Sequence, residues 1–231
     1  MQGNVEEIDK LKRELKIRNF SKKTIKSYTY SVEKFLNYAE NEKAKELNEE
    51  LVKNYLQILI KKQSPSTTSA NLSAIEFFFN SILKKNLKLP HPKRNKSIPE
   101  ILTQEEVKSL INSTNNIKHK LILKILYGCG LRVSEVVNLK KQDVNFKEDL
   151  IQIKQGKGKK DRFVKIPNSL KPELQSFCNL NDSEVLFPSS KSKKLTTATI
   201  QKIVKQASKK AKIVKNIHPH TLRHSFATHL L

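Results

Sequence analysis

The sequence contains no tryptophan, one methionine, five glycines and only two cysteines in 231 residues. The two cysteines, Cys129 and Cys178, form no CxxC pair, so nothing supports a disulfide framework or a cysteine-rich zinc site. Both lie in apolar stretches, and we expect them in a core and in a reducing, cytoplasmic environment. No apolar run approaches the roughly 20 residues of a membrane-spanning helix, and the first residues do not resemble a signal peptide.

Acidic residues are also scarce. Lys and Arg together number 45 and Asp and Glu together 22, so the formal net charge is +23. An excess of this size calls for a polyanionic partner, and nucleic acid is the first candidate. An anionic membrane surface is the alternative, and a generally lysine-rich composition explains part of the charge. The length fits one large domain or two small ones.

Residues 1–85 show helical periodicity. From Ser21, in an N-cap position, apolar residues recur at steps of three and four, and similar stretches follow Asn48 and Pro65. With a weaker opening segment, this pattern predicts a bundle of about four helices. Residues 86–99 contain three prolines and several basic residues. We interpret them as a linker that is able to lie against phosphates.

Residues 100–231 combine helical and strand patterns. Thr103 and Glu106 form a candidate capping box, and the apolar stretch that ends at Gly128 and Gly130 predicts a buried helix. "LIQIK" and "RFVKIP" alternate with period two around "QGKGKKD", which predicts a β-hairpin. A last helix begins near Pro219. The predicted fold is therefore mainly α with a small β-sheet or hairpin, in two domains of which the second is α+β.

The last residues, "HTLRHSFATHLL", place His220 and Arg223 three positions apart on one helix face. A guanidinium donates two hydrogen bonds to a phosphate, and an imidazole adds a donor or transfers a proton. An ordinary polar surface helix is one alternative. A zinc site from His220 and His224 is another, but the stretch lacks the glutamate of a metalloprotease helix and any cysteine pair.

Two further cations stand in unusual surroundings. Arg132, in "YGCGLRVSE", follows a glycine-ended helix and opens the next one, which is a place that favours anions. Its neighbours are apolar, so it needs a partner, and Glu135 or another internal carboxylate is the alternative to an anion. Lys157 lies between glycines at the hairpin tip, where it could enter a DNA groove and protonate a leaving oxygen. The alternative is a solvated basic turn in which Lys157, Lys159 and Lys160 are equivalent.

Together these residues predict a phosphate site. Two arginines, a histidine and a lysine, without a carboxylate pair or a glycine-rich nucleotide loop, suit a pentavalent phosphate without a metal or another cofactor. In this interpretation Arg132 and Arg223 stabilise the equatorial oxygens. His220 donates to an oxygen or assists proton transfer, and Lys157 protonates the departing 5′ oxygen.

Three motifs in order, "GCGLRVSEVVNL", "GKGKKDRFVKIP" and "HPHTLRHSFATHLL", resemble the Arg box, hairpin Lys and His-x-x-Arg box of the tyrosine recombinases (phage integrase family), most closely the Xer type. Residues 21–40 and 66–83 resemble the helical, SAM-like core-binding domain of that family. The resemblance covers nearly the whole chain. It implies catalytic roles for Arg132, Lys157, His220 and Arg223, and a C-shaped clamp around double-stranded DNA. It further implies a 3′-phosphotyrosyl intermediate and a homo-tetramer on paired sites, in chromosome dimer resolution or DNA integration.

We also expect contacts to DNA phosphates outside the catalytic set, at helix starts, in the linker and in the hairpin. Helix capping and ordinary surface charge are the alternatives at these positions. The residues are Lys22, Lys23, Thr24, Ser66, Thr67, Lys93, Arg94, Lys96, Lys159 and Lys160.

The nucleophilic tyrosine of the family follows the His-x-x-Arg box. Here no tyrosine follows Tyr127, which we expect in the core. We therefore expect a C-terminally truncated recombinase that cannot cleave DNA as it stands, because the cradle lacks its nucleophile. A DNA-binding accessory or regulator without catalysis is the main alternative. A basic protein with an accidental resemblance is the other.

Overall fold

The computed structural model describes residues 2–41, 46–93, 99–154, 161–180, 182–190 and 194–230. The chain divides into two compact units, unit 1 (Met1–Lys96) and unit 2 (Ser97–Leu231). Unit 1 contains α1 (Gln2–Ile17), α2 (Lys22–Asn41), α3 (Glu49–Lys62) and α4 (Pro65–Ser81). Unit 2 contains α5 (Gln104–Asn112), α6 (Ile117–Gly128), α7 (Val133–Asn138), a 3-10 turn (Lys141–Asp143), β1 (Val144–Asn145), β2 (Leu150–Ile153), β3 (Arg162–Lys165), α8 (Lys171–Asn179), α9 (Thr197–Lys210) and α10 (Pro219–His229).

The helices of unit 1 begin at residues that satisfy their first backbone N–H groups. Ser21 Oγ accepts a hydrogen bond from the N–H of Thr24 (3.1 Å), and Asn48 Oδ1 accepts one from the N–H of Leu51 (2.9 Å). Both predicted caps are confirmed, and so is the helical bundle. The apolar faces meet in one core, whose largest fully buried side chains include Phe35, Phe78 and Phe79.

Residues 86–93, within the predicted linker, lie along α4. Asn80 donates through Nδ2 to the carbonyl of Leu87 (3.1 Å) and accepts from its N–H (2.8 Å). The N–H of Leu89 donates to Glu76 Oε1 (3.0 Å). Leu87 and Leu89 are buried in the core of unit 1. The two buried leucines and these three hydrogen bonds together hold this part of the chain against the bundle.

Unit 2 packs its helices around α6, whose apolar residues on several faces are buried, as predicted. The capping box of α5 is confirmed, with Thr103 Oγ1 accepting from the N–H of Glu106 (3.2 Å) and Glu106 Oε2 from that of Thr103 (2.8 Å). Strands β2 and β3 form the predicted antiparallel hairpin. Strand β1 adds a third strand beside β2. The sequence did not reveal β1, since two residues are too few to show a period.

No helix within the described ranges is both long and apolar enough to cross a membrane.

Candidate active site

A glycine turn brings Arg132 to the start of α7. After α6 ends at Gly128, Gly130 adopts a φ of 57°, a conformation that favours glycine. A Cβ built at Gly130 would lie 2.6 Å from Cδ1 of Phe226 on α10. Gly130 is therefore required both for the turn and for the close approach of α10. Arg132 follows as the N-cap residue of α7, where the sequence predicted it.

Helix α10 places Arg223 beside the turn at Gly130. Arg223 Nη1 donates to the carbonyl oxygen of Gly130 (2.5 Å) and lies 4.0 Å from Oε2 of Glu135. The helix is held from its other side by fully buried Leu222 and by Ser225, whose Oγ accepts from the N–H of Leu102 (2.9 Å). The predicted start of α10 at Pro219 is confirmed. Arg132 and Arg223, 91 positions apart in the chain, thus face one region.

Glu135 lies at the centre of this region, with a side chain only 6% exposed. Its Oε1 accepts from Arg132 Nη1 (2.8 Å), and its Oε2 accepts from the backbone N–H of Arg132 (2.8 Å). The sequence left open whether Glu135 or an anion is the partner of Arg132, and the structure identifies Glu135 as a direct partner. The backbone N–H of Arg132 at the start of α7 is likewise used by Glu135.

A third arginine, which the sequence analysis missed, shares the same carboxylate. Arg162 donates from Nη1 to Glu135 Oε1 (2.8 Å) and from Nη2 to Oε2 (2.7 Å). Arg162 pairs across the hairpin with Ile153, and buried Ile151 pairs with Val164 in the same alternation. A charged residue in the inward phase of a strand was the signal that could have revealed it.

The three arginines keep an excess of positive charge around Glu135. Within the part of the chain that the structure describes, Glu135 is the carboxylate paired with all three, so the group carries a formal charge of +2. Burial alone raises the pKa of Glu135. The hydrogen bonds from Arg162 and Arg132 outweigh burial and lower this pKa from 4.5 to about 2. The side chains of Arg132, Arg162 and Arg223 are 30%, 32% and 31% exposed, so an anion in solution can reach them.

His220 lies three positions, about one turn, before Arg223 on α10, and His224 directly follows Arg223. Partial loss of hydration lowers the pKa of His220, and the nearby charges of His218, His224, Arg223 and Arg132 lower it further. The lowered pKa favours the neutral imidazole of His220, which is able to accept a proton as well as to donate through its N–H.

The rings of His220 and His224 have centroids 6.5 Å apart. Across the described ranges, no three His, Cys, Asp or Glu side chains come together in a way that could hold a metal ion.

Tyr127 packs at the edge of the core of unit 2 rather than inside it. Its hydroxyl is within 2.8 Å of Nδ1 of His229, and its ring contacts Phe226 edge-on. Partial burial raises the pKa of its hydroxyl. These residues line a cavity of about 390 Å³ beside Gly128 and Leu170.

The predicted DNA-contact residues divide into three groups. Lys22, Lys23, Ser66 and Lys93 are exposed and stay predictions. The hydroxyls of Thr24 and Thr67 lie 2.8 Å and 2.9 Å from Oγ of the cap residues Ser21 and Ser64, so each takes part in its helix cap. The remaining residues, Arg94, Lys96, Lys159 and Lys160, lie outside the described residues, and so does Lys157 of the predicted catalytic set.

Comparisons with known proteins identify the family of both units. Residues 100–231 match the Phage integrase family, and residues 8–89 match its "Phage integrase, N-terminal SAM-like domain". The chain is 33% identical over 231 residues to a tyrosine recombinase of Thermosipho africanus, covering 93% of this chain and 81% of that protein. It is 38% identical over 228 residues to the tyrosine recombinase XerA of Pyrococcus furiosus, covering 94% and 77%.

Solved structures show the same fold. The crystal structure of XerA recombinase is 30% identical, with a TM-score of 0.54, and the match covers 98% of this chain and 84% of that one. A λ integrase dimer bound to a COC′ core site has a TM-score of 0.78 at 15% identity, with 96% and 88% covered. The helical unit 1 and the arginine-bearing unit 2 therefore have the fold of the phage integrases. The chain belongs to the phage integrase family, among the tyrosine recombinases of Xer type.

Proposed function

We propose that this protein is a site-specific recombinase that cuts and rejoins DNA strands through a 3′-phosphotyrosyl intermediate. The observation that carries the proposal is the group of three arginines around Glu135, which retains positive charge and solvent access. DNA-bound relatives support the choice of duplex DNA as the partner, and one λ integrase structure is a tetramer bound to a Holliday junction. We accordingly propose assembly into a tetramer on paired sites, and action in the cytoplasm.

In this reaction a tyrosine hydroxyl attacks the phosphorus, and the bond from phosphorus to the 5′ oxygen breaks. Negative charge grows on the two non-bridging oxygens in the transition state. Arg132 and Arg223 would bind these oxygens with the N–H groups that Glu135 and Gly130 leave free. His220 would donate to an oxygen or take part in proton transfer, and Lys157 would protonate the departing 5′ oxygen.

We propose that residues 1–231 alone form no covalent bond to DNA. Four of the five tyrosines, Tyr28, Tyr30, Tyr38 and Tyr55, belong to unit 1. The fifth, Tyr127, has its hydroxyl next to His229 and a raised pKa, which disfavours the reactive phenolate. The expected experiment incubates the chain with duplex DNA and examines it on a denaturing gel. A protein–DNA adduct that survives denaturation would contradict this part of the proposal.

The phosphate-binding role is tested by fluorescence anisotropy with a labelled DNA duplex. Changing either Arg132→Met or Arg223→Met should weaken DNA affinity about tenfold or more, because each removes charge-assisted hydrogen bonds to phosphate. The plot of log affinity against log salt concentration should also become shallower, by the amount that corresponds to the loss of about one phosphate contact. The matched control is Arg13→Met, an exposed arginine on α1. Equal losses for all three variants would contradict the assignment.

A DNA-binding regulator without catalysis is the second candidate, and it uses the same arginine site. It is favoured by the surroundings of Tyr127 in unit 2, whose hydroxyl lies 2.8 Å from Nδ1 of His229 and has a raised pKa. Reading the coding DNA past the codon for Leu231 separates the two candidates. A frame that continues to a tyrosine codon supports the recombinase, and a stop codon at that point supports the regulator.

A further inference from the structure

The protein uses arginine sparingly. Of its 45 basic residues, 39 are lysines and only six are arginines. Three of those six, Arg132, Arg162 and Arg223, lie around the single carboxylate of Glu135. Lysine provides charge as well as arginine does, but it cannot donate two parallel hydrogen bonds from a planar group. Arginine at these three positions therefore indicates a requirement for the planar group and not only for charge.

Arg162 is the arginine whose side chain donates hydrogen bonds to both carboxylate oxygens of Glu135. It donates one hydrogen bond to each carboxylate oxygen, at 2.8 Å and 2.7 Å, in the paired geometry that arginine and carboxylate prefer. The side chain of Arg132 donates to Oε1 only, from Nη1. Arg223 stands 4.0 Å from Oε2 and donates to Gly130 instead. The carboxylate thus forms its two-fold contact with Arg162.

This division leaves donors on the other two arginines for a ligand. A guanidinium carries five N–H groups, and Arg132 and Arg223 each give one through Nη1 to the contacts just described. If Arg162 were absent, each oxygen of Glu135 would lose one donor and could accept a further hydrogen bond from Arg132 or Arg223. Either could then turn its planar group onto the buried carboxylate, because an incompletely paired buried charge is costly. That rotation would take its donors away from a phosphate.

Arg162 is well placed to hold this arrangement, because β3 fixes its backbone. It is the first residue of β3 and pairs in register with buried Ile153 on β2. Glu135, in contrast, lies on the short helix α7. The paired hydrogen bonds therefore connect β3 to α7, which begins directly after Arg132, and they hold both oxygens of the carboxylate.

We propose that Arg162 is a positioning residue of the phosphate site, which saturates Glu135 so that Arg132 and Arg223 keep their donors directed at a DNA phosphate. The proposal rests on the proposed function, in which those two arginines bind phosphate. Arg162 itself does not contact the phosphate. Its contribution is to orient the other two guanidinium groups.

The test compares three variants of the full 231-residue chain. Arg162→Met removes the charge and the paired hydrogen bonds, whereas Arg162→Lys keeps the charge and loses the pairing. Lys165→Met is the matched control, since it removes one charge from the same strand and pairs with Leu150 on the face opposite to Arg162. Affinity for a labelled DNA duplex is measured by anisotropy for each. Protection of the buried thiols Cys129 and Cys178 from labelling checks that unit 2 is folded.

We expect Arg162→Met to weaken DNA binding about tenfold, the size of a lost charge-assisted contact, and Lys165→Met to weaken it by about twofold. Arg162→Lys should weaken binding nearly as much as Arg162→Met although its net charge is unchanged. Wild-type affinity in Arg162→Lys would overturn the proposal, since it would show that only charge matters. If Arg162→Met fails to fold, Arg162→Lys carries the test.

A spectroscopic readout separates positioning from general stability. Only six arginines are present, so ¹⁵N-arginine labelling gives six Nε–H signals, and Arg→Lys substitutions assign those of Arg132 and Arg223. In Arg162→Lys without DNA, we expect one or both of these signals to shift, because a guanidinium turns onto Glu135. Unchanged signals would overturn the proposal. If Arg132→Met and Arg223→Met leave DNA affinity intact, the proposed function itself fails, whichever result Arg162 gives.

Discussion

Replacing Glu135 by glutamine measures how much the buried carboxylate contributes to the stability of unit 2. The pKa of Glu135 is lowered from 4.5 to about 2 in the folded chain, because the hydrogen bonds from Arg162 and Arg132 outweigh the effect of burial. At about 1.4 kcal/mol for each tenfold change in proton affinity, this difference corresponds to about 3 kcal/mol. We therefore expect Glu135→Gln to lower the free energy of unfolding by about 3 kcal/mol at pH 7.

The pH dependence follows from the direction of the pKa change. A carboxyl whose pKa is lower when folded stabilises the protein above its unfolded pKa, here 4.5. That contribution is lost as the pH falls towards the folded value of about 2. The difference between wild type and Glu135→Gln should therefore be full at pH 7 and shrink steadily between those two values.

The assay uses the two cysteines, because both lie in unit 2 and both are buried. Burial also raises the pKa of the Cys129 thiol to about 12. Labelling by a pyridyl disulfide at increasing urea, at pH 7 and at pH 3, then reports the unfolding of unit 2 alone. The control is Glu184→Gln, which removes a 67% exposed partner of Lys140 and should cost less than about 1 kcal/mol. Equal losses for the two variants, or a Glu135→Gln deficit that does not shrink at pH 3, would refute the reasoning.

Two further changes test the geometry around the arginines. Gly130→Ala should lower the free energy of unfolding by about 1–3 kcal/mol, because alanine is strained at a φ of 57° and its Cβ would lie 2.6 Å from Phe226. Urea titration with thiol labelling measures this, and a neutral result would contradict the required turn. A bound phosphate should favour protonation of His220, whose pKa is lowered in the free chain, so DNA affinity should rise as the pH falls from 8 to 6. Anisotropy across that pH range should show a smaller rise of DNA affinity in His220→Gln than in wild type. An identical rise would show that another group titrates.

Local signals in the sequence predicted most of the helices. The caps at Ser21, Asn48 and Thr103, and the start of α10 near Pro219, are set by hydrogen bonds among residues three or four positions apart. The alternation that predicts the β2–β3 hairpin is equally local, because each strand shows its period within a few residues. Strand β1, with two residues, carries no such signal.

The predicted catalytic residues were found from motifs, but their arrangement could not be predicted. Arg132 and Glu135 are three positions apart, so their contact was one of the alternatives considered. The contact of Arg162 with Glu135 spans 27 positions and depends on how the hairpin packs against α7. No local sequence pattern predicts a contact between residues so far apart in the chain. The inward phase of Arg162 in its strand could have indicated that it has a buried partner, but not which one.

The central claim is that Arg132 and Arg223 bind the same DNA phosphate. A double-mutant cycle tests it most directly, with DNA affinities of wild type, Arg132→Met, Arg223→Met and the double variant measured by anisotropy at one salt concentration. If both guanidinium groups hold one phosphate, the double variant should bind only slightly more weakly than the weaker single variant. If the fold-losses in DNA affinity of the two single variants multiply in the double variant, the arginines bind separate phosphates. If no variant loses DNA affinity, the phosphate site itself is contradicted.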